Sequence, residues 1–576
     1  MRRLASSWLT ISIGVFLAFA AGPIARGWQV EHGSRTSDST PDALSEADQA
    51  LERGLDLERQ RNWGGAIEVY RSALERWPSR TEFSRRLQLC ELHLKLLRRY
   101  QDPSFRNMLL SLPREQAIEL YSEVLERIQV HYVDPVPLEP LVRHGFDHLE
   151  VALRDPVFLK TNVGDPDGDR VVWLRNELRK LRKRLAVPER NAAVRLALAA
   201  CELGRQAIAL SPTPILLEFA CGACDALDDF TSYLTPNKLE DLYAMIDGNF
   251  VGLGIELKLG AEGLRIVGVI RGGPAWEAGL VAGDQITRVH ARPVKGMPLD
   301  EAANLLQGPE GTSVDLEILS RTGERRTLRL VRRHVDVESV TRAKMVDKVA
   351  GIGYIQLAGF QKTSTEELDQ AISGLRALGM KILVLDLRGN PGGLLNVAVD
   401  IAERFLDDGV IVSTRGRAAG QSQVMRASGP ARWRMPLYLL VDRETASASE
   451  ILAGALQDHR RATVVGQRTY GKGSVQSIFS LRSAPAGLKL TTAKFYSPRN
   501  RPYSEQGVSP EIPVTPRVSA KPGDRDLRPS LDESLLADPE YDVVLAAAIR
   551  DARARFWENR RGSADHLPER RNTDPH

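Results

Sequence analysis

A serine and a lysine, each set among small residues at a turn, are the best chemical candidates in this 576-residue chain. Thr445-Ala446-Ser447-Ala448-Ser449-Glu450 follows the apolar run Met435–Val441 and opens a predicted helix. Either serine could simply cap that helix, the commonest task for serine in this position. The flanking alanines leave Ser447 uncrowded, as a nucleophile attacking a polymer requires, but a serine hydroxyl is inert without a base. His459 falls at the far end of the same helix, about 18 Å away at 1.5 Å per residue, so a Ser-His-Asp triad finds no support. The segment Thr469-Tyr470-Gly471-Lys472-Gly473-Ser474-Val475-Gln476 offers a lysine instead. A base must be neutral, and desolvation lowers a lysine pKa by several units from about 10.4. Gln476 could orient the amine without adding charge; a solvated surface lysine is the plain alternative.

A second turn, Arg388-Gly389-Asn390-Pro391-Gly392-Gly393, follows the apolar run Lys381–Leu387. Its paired glycines let backbone N–H groups approach a ligand at a helix N-terminus, although a tight turn alone would also use them. Both turns follow continuous apolar runs, as expected of strands buried on both faces, and lead into predicted helices, 394–406 and 448–459. Open α/β sheets keep their sites at such strand ends. Residues 340–515 therefore read as an α/β catalytic unit.

From Phe250 to about Val335 short β-rich runs alternate with Gly/Pro turns, with helices near 275–278 and 299–306. Residues 42–100 read as a helical pair. Trp63, Ala66, Ile67, Tyr70, Ala73, Leu74 and Pro78 stand where a tetratricopeptide unit packs, and a second helix is expected over 83–99. Residues 114–245 stay helical. The acidic loop 164–169 reads as a turn, because Asn176 stands where an EF-hand needs glutamate. Leu174, Leu178, Leu181 and Leu185 form an amphipathic stripe beneath a solvated basic face. Cys221 and Cys224 lie inside an apolar helical run, where packing or an incidental disulfide is expected rather than redox chemistry. No second ligand pair makes them a zinc site. Residues 516–576 read as a charged tail with one helix, 542–557.

Hydrophobic residues make up 43% and charged residues 26%, which excludes a disordered chain, and a net charge of +4 gives no electrostatic case for nucleic acid. Four cysteines are too few for a disulfide scaffold. Arg2 and Arg3, the apolar stretch 9–20 and the small-x-small site Ala18-Phe19-Ala20 have the layout of a secretory signal over 1–20. A periplasm or cell envelope is the expected location, with an uncleaved membrane anchor as the competitor.

Three motifs in register, Asp386–Leu395, Thr445–Ile451 and Tyr470–Gln476, resemble the carboxyl-terminal processing (tail-specific) proteases, serine peptidase family S41. The separation of twenty-five positions from Ser447 to Lys472 matches that family's spacing and selects Ser447 over Ser449. Residues 250–335 resemble a PDZ domain of the bacterial protease type. It matches at Val251–Glu256, Gly273–Leu280, Gly283–Ile286 and Gly308–Gly311. The resemblance implies a multidomain α+β chain: a helical front, a PDZ module and a crotonase/ClpP-like α/β protease core. It further implies Ser447 as nucleophile, Lys472 as base, Gln476 as its positioner, and Ala448 with Gly392 and Gly393 as an oxyanion hole. No metal or other cofactor is implied. Leu253, Gly254 and Ile255 would hold the carboxylate of unfolded or tailed proteins with apolar C-termini. A homodimer through the N-terminal helices is plausible on this reading. The competing function is a noncatalytic PDZ and helical-repeat scaffold, which leaves Ser447, Lys472 and Gln476 unexplained.

Overall fold

The protein is described by a computed structural model covering residues 12–13, 45–260, 262–297, 299–515 and 540–564. The expected export signal lies outside these residues except at Ser12–Ile13. The chain divides into two compact units, one of Leu17–Glu240 with Phe479–Leu490, the other of Met1–Phe16, Asp241–Ile478 and Thr491–His576.

In the first unit the helical periodicity is realised except at the short strand Ser232–Leu234. Residues 42–100 hold three helices rather than a pair: Glu46–Arg59, Trp63–Arg76 and Thr81–Gln101. Trp63, Ala66, Ile67, Tyr70 and Ala73 are buried as the pattern requires, whereas Pro78 is exposed in the turn that follows. Helices Leu138–Ala152 and Pro212–Asp225 cross backbone to backbone, since a Cβ on Gly222 would stand 2.7 Å from the Gly145 Cα. The acidic loop ends as a helix cap, with Asp167 Oδ1 accepting from Asp169 N–H at 2.9 Å. The helix it opens, Gly168–Lys183, buries Val171, Leu174 and Leu178, while Arg170 and Arg179 are exposed. Arg175 and Arg179 both reach Glu150. The segment Phe479–Leu490, flanked in sequence by residues of the other unit, contributes Leu481, Ala484, Leu488 and Leu490 to this helical core.

The second unit begins with the β-rich module. Its sheet runs Ile255–Leu259, Leu264–Val269, Gln285–Val289, Ser313–Leu319, Arg325–Val331. Alternation buries Val314, Leu316 and Ile318 of one strand against Leu264, Ile266 and Ile286. Ile255–Leu259 pairs on one side only and is an edge strand.

A separate six-stranded sheet runs Val340–Asp347, Ile352–Leu357, Ile382–Asp386, Leu437–Val441, Ala462–Gly466, Ile512–Pro513, all neighbours parallel except the first pair. The two central strands are buried at every residue, which explains their unbroken apolar sequence. The helices after them are Leu395–Glu403 and Ala448–Asp458. The C-terminal segment carries the helix expected of it, and that helix lies on this sheet. The helix, Val543–Ala564, packs Val544, Leu545, Ala548, Ile549 and Ala552 onto Ile352, Tyr354, Val384, Tyr438 and Leu440. Strand residues alternate in direction, so Leu383, Leu385 and Leu439 face the opposite side of the sheet.

Candidate active site

The two strand-end turns meet, and glycine makes this possible. Gly392 has φ +103°, and a Cβ there would lie 2.8 Å from Ser447 Cβ and 2.9 Å from Ala448 N. Any side chain would drive the turns apart. Asn390, fully buried, joins them. Its carbonyl accepts from Ala446 N–H at 3.1 Å and Ser449 Oγ at 3.0 Å, and its side chain donates to Leu357 O at 2.8 Å. Ser449, the alternative serine, is thereby given a structural bond. Asp442 ties the turns again, accepting from Gly389 N–H at 3.1 Å and Thr445 N–H at 2.9 Å.

Ser447 sits at the N-terminus of helix Ala448–Asp458 with φ +59° and ψ −117°, a conformation a non-glycine residue adopts only when its surroundings impose it. Glu450 is one of those surroundings. It has no exposed surface and accepts from Ser447 N–H at 2.8 Å and Lys472 N–H at 2.9 Å on Oε2. Its Oε1 accepts from Thr469 Oγ1 at 2.6 Å and Gly471 N–H at 2.7 Å. One carboxylate thus fixes the backbones of both candidate residues. Burial pushes the Glu450 carboxyl above its ordinary range, and the four hydrogen bonds oppose that without cancelling it.

Lys472 is buried at 3% exposure, so the surface-lysine alternative does not hold. Its neighbours must be glycine. A Cβ on Gly473 would stand 2.2 Å from Ser504 N, and Gly471 has φ +89° against the Glu505 backbone. Gln476 is buried on the strand Ser474–Ser480. Its amide nitrogen bonds Ser474 Oγ at 2.9 Å and Thr491 Oγ1 at 3.4 Å, and neither bond reaches Lys472. His459 caps the far end of the helix and holds Val410 O at 2.7 Å.

Of the expected oxyanion donors, Gly392 is corrected, because its N–H is given to Asn390 Oδ1 at 2.9 Å. Gly393, at φ +149°, lies against the Phe360 carbonyl. The bridge with Phe360 uses the Leu394 N–H and the Gly392 carbonyl, not the Gly393 N–H. In the β-rich module Leu253 is core, and Gly254, at φ +73°, turns the chain into the edge strand that Ile255 begins. The carbonyls of Leu253 and Gly254 accept from Ala275 and Ile270 N–H, both at 2.9 Å.

Sequence reasoning passed over Glu450, Asn390 and Thr469. A signal for Glu450 was present, a serine followed three residues later by glutamate at a helix start, which is the capping-box pattern.

Among the described residues no cluster of His, Cys, Asp or Glu is arranged to hold a metal ion, and no helix is long and apolar enough to cross a membrane. Residues 351–514 match the pattern of peptidase family S41, and residues 265–320 match a PDZ domain, a module suited to binding peptide tails. A carboxy-terminal-processing protease of Bartonella bacilliformis is 39% identical over 50% of this chain and 67% of its own. A carboxyl-terminal-processing protease of Synechocystis is 38% identical over 53% and 73%. A chloroplastic carboxyl-terminal-processing peptidase of Arabidopsis thaliana is 37% identical over 50% and 58%. The chain belongs to the carboxyl-terminal processing proteases, serine-type peptidases of family S41 carrying a PDZ domain.

Proposed function

We propose that the protein is an exported endopeptidase that takes hold of apolar free C-termini and cleaves peptide bonds with a Ser447–Lys472 dyad. The observation that carries the reading is the Glu450 carboxylate, which bonds the backbone N–H of both residues and so fixes their relation. Ser447 Oγ attacks the peptide carbonyl carbon while neutral Lys472 takes its proton. The C–N bond breaks, the leaving amine takes the proton from Lys472, and water repeats the sequence on the acyl-enzyme. The Ala448 N–H at the helix N-terminus and the Gly393 N–H are the oxyanion donors, each worth a few kcal/mol in such sites. Gly392 serves by its lack of a side chain. Gln476 offers its amide oxygen to orient the amine.

The free side of the edge strand Ile255–Leu259 supports addition of a substrate tail as a further strand, with the Leu253 and Gly254 N–H groups toward its carboxylate. Arg2, Arg3 and the apolar stretch that follows support export. Ser447→Ala and Lys472→Ala should each abolish cleavage of an unfolded substrate with an apolar tail. Amidating that tail should raise KM and leave kcat in place. Full activity of either alanine variant would end the dyad reading. Cell fractionation with N-terminal sequencing decides export.

A further inference from the structure

We propose that Asp542, acting through Arg388, is a positioning residue for the reaction at Ser447, so that the C-terminal helix is a working part of the active site. The inference rests on the reading of Ser447 as nucleophile. Asp542 lies beyond the segment that matches the peptidase family and is 154 residues from Arg388 in sequence.

The guanidinium of Arg388 is clasped from two sides. Asp542 takes it as a fork, Nη1 to Oδ1 at 2.9 Å and Nη2 to Oδ2 at 2.6 Å. Asp386, two residues before Arg388, accepts from Nε at 2.9 Å and from the Arg388 N–H at 2.9 Å. Tyr354 donates to Asp386 at 2.7 Å from the neighbouring strand. Asp386 can hold Arg388 only to its own strand; Asp542 holds it to a separate helix. The same Asp542 carboxylate caps that helix, accepting from Val544 N–H at 3.1 Å and Leu545 N–H at 3.0 Å. The helix is itself fixed by its apolar contacts on the sheet, by Tyr438 donating to Asp551 at 2.8 Å and by Arg553 donating to Asp347 at 2.6 Å.

Arg388 is also the first residue of the turn that touches the nucleophile. Gly389 bonds Asp442, Asn390 bonds Ala446 and Ser449, and Gly392 lies against Ser447 Cβ. A continuous bonded path therefore runs from the helix cap to the nucleophile. A shift near 1 Å in such a support costs about a hundredfold in rate.

Asp542→Asn isolates the effect, because asparagine caps a helix as well as aspartate does but turns an amide NH2 toward the guanidinium. Arg388→Lys keeps the charge and loses the fork. Leu545→Ala thins the helix packing and leaves both residues alone. All are assayed where circular dichroism shows them fully folded, by steady-state kinetics on a tailed substrate and by the rate of acylation with a sulfonyl fluoride, with Ser447→Ala as control. Asp542→Asn and Arg388→Lys should lower kcat and the acylation rate together by about ten- to a hundredfold with KM unchanged. Leu545→Ala should lower Tm and keep kcat. Wild-type kcat in Asp542→Asn or Arg388→Lys overturns the inference. So does a kcat loss in Leu545→Ala equal to theirs, which would make the helix a general support. Activity surviving in Ser447→Ala would instead overturn the reading of the nucleophile, independently of Asp542.

Discussion

Glu218 in the helical unit and Glu450 in the protease unit are both carboxylates with no exposed surface, and they are held in opposite ways. Glu218 is met by charge. Arg99 donates to it at 2.5 Å, His148 stands 3.5 Å away, and Asp225 completes the group against His148 at 3.2 Å and Lys95 at 3.1 Å. Burial alone would raise its pKa, yet Arg99 and His148 hold the carboxyl below its usual range. Glu450 is met by four neutral donors from two stretches of chain, and burial prevails. Opposite charges keep a buried group ionised. A ring of dipoles does less for ionisation and more for geometry, since each donor must lie on a lone-pair direction. The first arrangement stabilises a fold; the second sets the register of a site.

Replacing Glu450 by glutamine is the hardest test of that contrast. The amide nitrogen would face two of the four donors, leaving buried N–H or O–H groups unpaired at about 1–3 kcal/mol each. We expect kcat/KM to fall about a hundred- to a thousandfold, with a lower Tm. Unchanged kcat/KM would show that the donors do not set the register. The matching change, Glu218→Gln, should act on stability alone. It leaves the Arg99 guanidinium buried without the carboxylate it donates to and costs about 3–5 kcal/mol, read as a fall in Tm. Below the transition kcat should stay at the wild-type value, and a loss there would erase the distinction.

What the sequence disclosed follows the range of each interaction. Ser447 and Lys472 were selected by the family resemblance, since the residues alone left Ser449 and a surface lysine open, and Gly392 was legible only as one of a pair of turn glycines. The two-face burial of Ile382–Asp386 and Leu437–Val441 was legible as unbroken apolar runs. The stripe of Leu174 and Leu178 was legible as helical spacing. Glu450 sits in a visible motif, but its hold on 469–472 depends on a fold that brings two turns together. The spending of the Gly392 N–H on Asn390 hides for the same reason: the residues do not say which donor stays free. The C-terminal helix was legible, but its docking on the sheet was not, because Val544, Leu545, Ala548, Ile549 and Ala552 find their partners only in the fold.

The two units should also part company with pH. Burial works against a charged His148, but the Asp225 and Glu218 carboxylates beside it outweigh that and raise its pKa above 6.5. A raised folded-state value means the stabilisation is full below about 6.5 and is lost as pH rises through the folded value. The Tm of the helical unit should therefore fall as the pH is raised from about 6 into the alkaline range. His148→Gln should flatten that slope. The carboxyl of Glu218, held low, adds nothing to the slope there, because it is ionised in both states above about 5. A rising Tm over this interval would mean that the charged histidine is not what Asp225 and Glu218 stabilise.

The smallest expected effect concerns the thiols of the helical unit. All four cysteines are free and buried, and burial pushes Cys90, Cys201 and Cys221 up to about 12 and Cys224 well above the ordinary thiol range. Only a thiolate reacts with an alkylating agent or attacks a disulfide. At pH 8 a thiol with a pKa near 12 is ionised in about one molecule in ten thousand. Cys221 and Cys224 stand one turn apart on a helix whose backbone is pressed against Gly145, so an intra-helical bridge would have to distort a crossing with no room to move. Native protein at pH 8 should take up no iodoacetamide and lose no mass to mild oxidant, while unfolded protein takes up four labels. Labelling of Cys221 in the native state would reveal local opening of helix Pro212–Asp225, and the charged cluster beside it would then be a hinge rather than an anchor.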